Sequence, residues 1–215
     1  MKVLVLNPNT SAGMTAHVVG QLQPLMPSGT QLLPCTAQHG AAVIADAKSF
    51  LLGGQAALDS LGQLLAQGLQ FDAVLLACFG DPALEALRLR SASPVVGLAQ
   101  TSLLQAEREG LAYAVVTAGP AWQALLEERF AQWGATALFR GVHVLQGTGL
   151  DVMGDPSGVL PAVQDAIARA RAAGAQRIIL GGAVFAGYPA LMRRHGVDTE
   201  GLIDCLECAA SALLA

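Results

Sequence analysis

The chain has little charge and few aromatic rings: Asp, Glu, Lys and Arg make up 13% of its 215 residues, and Phe, Trp and Tyr 5%. Its 12 basic residues are scattered and outnumbered by 16 acidic ones. The net charge of -4 therefore offers no positive field to a phosphate backbone, which excludes nucleic acid as a partner. No stretch reaches the roughly 20 uninterrupted apolar residues of a membrane span, because glycine, proline and charged residues break each run. The opening segment, Met1 to Pro8, has an apolar run of four residues, too short for a secretion signal. Four cysteines (Cys35, Cys78, Cys205 and Cys208) are too few and too unevenly spaced for a disulfide framework, and read as reduced thiols of a cytoplasmic protein. His17, His143 and His195 have no metal-ligand spacing with one another or with a cysteine, so no metal site is expected. Neither a dinucleotide glycine fingerprint nor a phosphate-binding loop occurs.

What is abundant is aliphatic. Hydrophobic residues make up 53%, with Gly at 24 and many alanines, the balance of an α/β protein with closely packed helices. Apolar runs predict strands at Lys2–Leu6, Gln31–Leu33, Ala73–Ala77, Val95–Leu98, Tyr113–Thr117, Ala137–Leu145 and Arg177–Leu180. Between them the period becomes helical. Over 157–173, Leu160, Val163, Ile167 and Ala170 recur at spacings of three and four, Pro161 fits the first turn, and Gly174 terminates the helix. From Pro120 to Trp133, Leu125, Leu126, Phe130 and Trp133 share one side, with Gly134 just after. Thr10 or Ser11 caps a helix beginning near Met14. Strands alternating with helices imply mainly parallel, doubly wound sheets.

Two segments share one plan. Ala73-Val-Leu-Leu-Ala-Cys-Phe-Gly-Asp-Pro-Ala-Leu84 and Arg177-Ile-Ile-Leu-Gly-Gly-Ala-Val-Phe-Ala-Gly-Tyr-Pro-Ala-Leu191 each read as a buried strand, a turn of small residues, then Pro-Ala-Leu opening a helix. Strand ends of this kind line ligand crevices in open α/β sheets, so the echo implies one cleft with two matching walls.

Cys78 falls at such a strand-to-helix turn. Free N–H groups at a helix N-terminus favour a thiolate and would lower its pKa from about 8.5 towards neutrality, giving an acid/base thiol. The alternative is a buried structural cysteine. In the turn after the first strand, Asn7, Asn9, Thr10 and Ser11 could hold a carboxylate or imide, or cap the helix. Asp81 could orient Cys78 or cap its helix, with capping ahead. Cys205 and Cys208 lie in an apolar segment, Leu202–Leu214, that reads as a packing helix, and Gly53, Gly54, Gly181 and Gly182 as turn or packing glycines.

Asn7-Pro-Asn-Thr-Ser11, Ala77-Cys-Phe-Gly-Asp-Pro82, Pro94-Val-Val-Gly97, Val115-Val-Thr117 and Leu180-Gly-Gly-Ala183 stand in an order that resembles the aspartate/glutamate/hydantoin racemase superfamily, hydantoin and allantoin racemases above all. The resemblance spans nearly the whole chain. It implies two pseudosymmetric lobes, residues 1–97 with 197–215 and residues 98–196, around an interlobe active-site cleft. It also implies a cofactor-independent racemase of a hydantoin-like or amino-acid-like small molecule, commonly self-associating as a homo-oligomer, with Cys78 as catalytic thiol. Asn9, Thr10 and Ser11, then Phe79, Gly80 and Asp81, and finally Thr117, Gly182 and Ala183, are the implied substrate contacts. Backbone N–H groups near Gly80 and Gly182 are the expected donors to a developing enolate oxygen. His39-Gly40 occupies a region that borders the substrate in the family. The family's second cysteine falls on Gly182. Tyr188, His39, Cys35 and Cys205 are candidates to replace it. A one-cysteine decarboxylase or lyase, or a silent small-molecule binder, are the alternatives.

Overall fold

The first apolar run forms strand β1 (Lys2–Asn7), buried along all but its first residue. It turns at Ser11 into helix α1 (Ala12–Leu22), whose first turn the Ser11 hydroxyl caps by accepting from the Met14 N–H. The computed structural model describes residues 1–215 and continues in the same alternation. Strand β2 (Gln31–Thr36), helix α2 (Ala47–Ala66), strand β3 (Ala73–Leu76), helix α3 (Leu84–Arg90) and strand β4 (Val95–Gly97) complete the first half. The second comprises helix α4 (Leu98–Glu109), β5 (Tyr113–Ala118), α5 (Trp122–Gln132), β6 (Phe139–Leu145), α6 (Gly149–Gly154), α7 (Leu160–Ala172), β7 (Arg177–Leu180), α8 (Tyr188–Arg194), β8 (Leu202–Asp204) and α9 (Cys205–Leu213).

Each half makes a four-stranded, all-parallel sheet, ordered β2-β1-β3-β4 and β6-β5-β7-β8. Both central pairs are apolar on both faces, as parallel strands covered by helices must be. The fold is the expected one: two α/β lobes of matching topology. All seven predicted strands form, and α7 keeps Pro161 in its first turn and Gly174 just beyond its end, at φ +91°. One short strand escaped the pattern. Leu202–Asp204, read as the start of a packing helix, is β8, pairing Ile178 with Leu202 in the second sheet. The stretch 197–215, expected to join the first lobe as a unit, is thus split. Its strand belongs to the second sheet, and α9 packs against α4 and α1 between the lobes. No helix is long and apolar enough to cross a membrane.

One hydrophobic cluster joins the halves. Val3, Val5 and Leu75 of the first sheet, Val115 and Ile179 of the second, and Leu103, Leu206 and Ala209 of the intervening helices are buried together. A fully buried Leu, Val or Ile side chain contributes about 1.5–3 kcal/mol, so this shared core holds the two sheets as one body. The outer faces have their own cores: Leu4, Leu6 and Leu61 in the first lobe, and Val116, Val163 and Leu180 in the second.

Candidate active site

Asn7 organises the turn that follows β1. Fully buried, it shares the two protons of Nδ2 among Asn9 Oδ1 (2.9 Å), the Ser11 carbonyl (3.1 Å) and Thr15 Oγ1 (3.0 Å), while its Oδ1 accepts from the Asn9 N–H (3.1 Å). Asn9 Oδ1 also accepts from the Ser11 N–H (2.9 Å), so the Asn9 oxygen is engaged and its amide nitrogen keeps both protons for a ligand. Ser11 performs the capping role and also lines the cavity. Thr10 does not line it; its N–H donates to the Ala41 carbonyl (3.0 Å), tying the turn to the loop after β2.

Cys78 stands two residues beyond β3, and Gly182 two residues beyond β7. Both line one cavity, with Asn9 and Ser11 from the first lobe and Thr117, Ala118, Ala183 and Val184 from the second. The cysteine's electrostatics differ from the expectation. Helix α3 begins only at Leu84, so Cys78 does not meet a helix N-terminus, and Pro82-Ala83 precede the helix instead of opening it. Burial and, next, the charge of Asp81 push the Cys78 thiol well above the ordinary range, and its S–H donates to the Phe79 carbonyl at 3.7 Å. The resting group is a neutral thiol. It is 7% exposed, with its surface in the cavity.

Phe79 lines the cavity and crosses to the other lobe, where Gly181 makes room for it: a Cβ there would stand 2.6 Å from Phe79 Cε1. Gly80 and Asp81 do not line the cavity. At φ +104° Gly80 turns the chain beneath Trp122, whose ring would lie 2.8 Å from an added Cβ. Asp81 is wholly buried, and its carboxylate accepts from the N–H groups of Ala99 (3.1 Å) and Gln100 (2.8 Å). It caps α4, not its own helix, and burial pushes its acid up to about 7 against these bonds.

None of the four candidate replacements for the second thiol lines the cavity. Tyr188 donates its hydroxyl to the Pro156 carbonyl (3.0 Å), and exposed His39 pairs with Asp59 (3.2 Å). Cys35 lies on β2 among the outer core of the first lobe. Cys205 is fully buried behind Gly182.

The remaining walls had no sequence signature. Met14 comes from α1, Ala42, Val43 and Ile44 from the loop before α2, Trp122 from α5, and Gly149 and Leu150 from α6. Gly53 of α2 admits Ile44, because a Cβ there would overlap the isoleucine side chain. Trp122 stands edge-on to Phe50, ring centroids 6.1 Å apart. The cavity encloses about 610 Å³ including its open mouth, and 12 of its 17 lining residues are hydrophobic. None is Asp, Glu, Lys, Arg or His, so Cys78 is its one ionisable side chain. Polar character comes from Asn9, Ser11 and Thr117, whose hydroxyl bonds to nothing within the chain, and from backbone. The N–H groups of Cys78, Phe79, Gly182 and Ala183 find no acceptor in the protein, giving two unpaired donors on each wall.

The fold and the facing strand ends define a two-lobed α/β protein with a small-ligand cleft between its lobes. Residues 3–213 match the family described as Asp/Glu/Hydantoin racemase, and the chain belongs to that family. It is 28% identical over 192 residues to the hydantoin racemase of Paenarthrobacter aurescens, a match covering 87% of this chain and 80% of the relative. The allantoin racemase structure from Pseudomonas fluorescens superposes with a TM-score of 0.89 at 27% identity, over 100% of this chain and 89% of the other. That from Klebsiella pneumoniae gives 0.87 at 25% identity, over 100% and 86%.

Proposed function

We propose that this protein is a cofactor-independent racemase-type enzyme that moves a proton at the acidic α-carbon of a neutral, hydantoin-like ring, with Cys78 as the acid/base group. The observation that carries the reading is a thiol as the single ionisable side chain of an otherwise apolar, hydrogen-bonding cavity. An amino-acid zwitterion would bring two charges where no opposite charge meets them, at a cost of several kcal/mol, whereas a neutral imide ring needs only hydrogen bonds. Asn9 Nδ2, the Thr117 hydroxyl and the unpaired N–H groups of both walls supply those bonds, and can receive the oxygen of the enolate as it forms. Cys78 first gives its proton to solvent, and the thiolate of so weakly acidic a thiol is a strong base, matched to a weakly acidic C–H. The thiol so formed returns a proton on its own face.

Racemisation requires delivery to both faces of the planar intermediate. With glycine where the family resemblance places a second cysteine, Cys78 serves one face and solvent the other. The single thiol also favours a second reading, in which all protonation comes from the Cys78 side and the product is stereochemically pure, as in a one-cysteine decarboxylase or exchange enzyme.

In deuterated water with 5-substituted hydantoins, allantoin, amino acids and disubstituted malonates, the racemase exchanges its α-proton and loses optical rotation at comparable rates. One-face chemistry exchanges deuterium with retention, or releases carbon dioxide from the malonates. Cys78→Ser abolishes turnover in either case; a Cys78→Ser enzyme of undiminished rate would remove the proton carrier from the scheme. A shift in melting temperature with no exchange at all would identify a binder.

A further inference from the structure

Asp81 is buried and conformationally strained, its acid pushed up to about 7 by burial, yet it does not line the cavity. It is one of two non-glycine residues in the left-handed region, at φ +54°. Its N–H donates to the Cys78 carbonyl (3.1 Å), closing the turn that carries the thiol. Its own carbonyl accepts from the Leu84 N–H (3.2 Å) and from Arg129 Nη2 (3.4 Å), a side chain of the second lobe. The carboxylate reaches the second and third residues of α4, the helix that leaves the first sheet for the second. Gly97 makes this approach possible, since a Cβ at that position would overlap the carboxylate.

We propose that Asp81 is a positioning residue for Cys78: it ties the thiol's turn to the first turn of α4 and to Arg129, and so fixes where the sulfur stands between the lobes. The inference rests on the reading of Cys78 as proton carrier. Misplacing a reacting group by about 1 Å can cost on the order of a hundredfold in rate, so a turn held from three sides has chemical value. The charge of Arg129 favours the ionised carboxylate, and the ionised carboxylate in turn disfavours thiolates at Cys78 and Cys205.

The test uses Asp81→Asn, because asparagine tolerates the left-handed backbone and keeps one acceptor. Alkylation of Cys78 by iodoacetamide, followed by peptide mass as a function of pH, needs no substrate, so it stands even if the proposed reaction fails. The folded variant should be alkylated faster than the parent at the same pH, since both are read on the rising limb below the thiol pKa. On a turned-over hydantoin, kcat should fall about 10- to 100-fold with KM changed less than about threefold. Gly97→Ala, which keeps the charge and displaces it, should reproduce the kcat loss and change the alkylation rate at that pH. A folded Asp81→Asn that only melts earlier, with the parent's alkylation profile, would make Asp81 a helix cap and nothing more. A folded Gly97→Ala with the parent's alkylation rate and kcat would equally overturn the proposal.

Discussion

The Cys205 thiol stands directly behind Gly182 and donates to its carbonyl at 3.6 Å, so the thiol next to that wall faces away from the cavity. Burial first, then the neighbouring Asp204, hold it neutral. Gly182 itself lies at φ +144°, where a side chain is strained, and a Cβ would stand 3.2 Å from Phe185 Cδ2. Gly182→Cys is therefore expected to cost about 1–3 kcal/mol of stability, read as a lower denaturation midpoint. In return it places a second acid on the wall opposite Cys78. Where the parent protonates from the Cys78 side alone, the ratio of racemisation to deuterium exchange starts low and should rise towards one, while Cys205→Ala leaves that ratio where it was. An unchanged ratio in a folded Gly182→Cys protein would mean that this wall does not deliver the second proton.

Asn7 and Asn9 separate structural from ligand-directed roles. Asn7→Ala leaves the Asn9 side chain without its partner and buried acceptors without a donor, a loss of about 1–3 kcal/mol. Asn9→Ala removes a donor held ready for a ligand together with the acceptor of the Asn7 and Ser11 donors; Asn7 keeps its other two acceptors, so the loss of stability should be smaller than that of Asn7→Ala. Its expected signature is a KM raised about tenfold, the worth of one hydrogen bond to a neutral group. Denaturation midpoints and steady-state kinetics on both variants check the division. Equal stability losses would show that Asn9 is part of the scaffold.

How much of this was legible follows from what each element needs. Strands buried on both faces, such as β1, β3, β5 and β7, must be runs of Val, Leu, Ile and Ala, and the half-buried edge strands β2 and β6 still carry enough apolar residues to stand out, while the matched segments after β3 and β7 lead to Cys78 and Gly182 on one cavity. β8 escaped because three residues carry no period and its Leu-Ile merges with the apolar face of α9. The Cys78 thiol departs from the sequence-based expectation for a spatial reason: the helix whose N–H groups would favour a thiolate starts six residues later, and burial and the nearby Asp81 carboxyl push the thiol up. Ile44, Trp122 and Leu150 reach the cavity through loop paths and helix orientation, which no local pattern encodes. The glycine at position 53 was visible, but that it exists to admit Ile44 was not.

Asp81 should leave a mark on the pH dependence of stability. Its folded acid titrates at about 7, against about 3.9 for an unfolded aspartate. Between those values the folded chain binds more protons, so stability falls as pH rises through the window. The contribution is fully present below about pH 4 and lost as pH passes about 7. Asp204 acts in the same direction, while Glu85 and Glu107, both lowered, act in the other. The measurement is therefore a difference: urea midpoints of the parent should drop more steeply from about pH 4.5 to about pH 7.5 than those of Asp81→Asn. Parallel curves would mean that the carboxyl is ionised throughout that range in the folded state.

Trp122 should set which ring substituent the cavity accepts. Its indole forms one apolar wall, braced edge-on by Phe50 and seated over Gly80, with Ile44 and Leu150 completing the surface that a substituent on the reacting carbon would meet. Burying about 60–100 Å² of a substituent against such a wall is worth about 1.5–2.5 kcal/mol. Trp122→Ala should accordingly lower kcat/KM for a benzyl- or isobutyl-substituted hydantoin by about 10- to 50-fold. A methyl-substituted one, too small to reach the wall, should change by less than about threefold. The comparison is internal to one variant, so a general loss of folded enzyme would scale both substrates alike. Equal losses would place the substituent elsewhere, against Met14 and Val184 or out towards solvent.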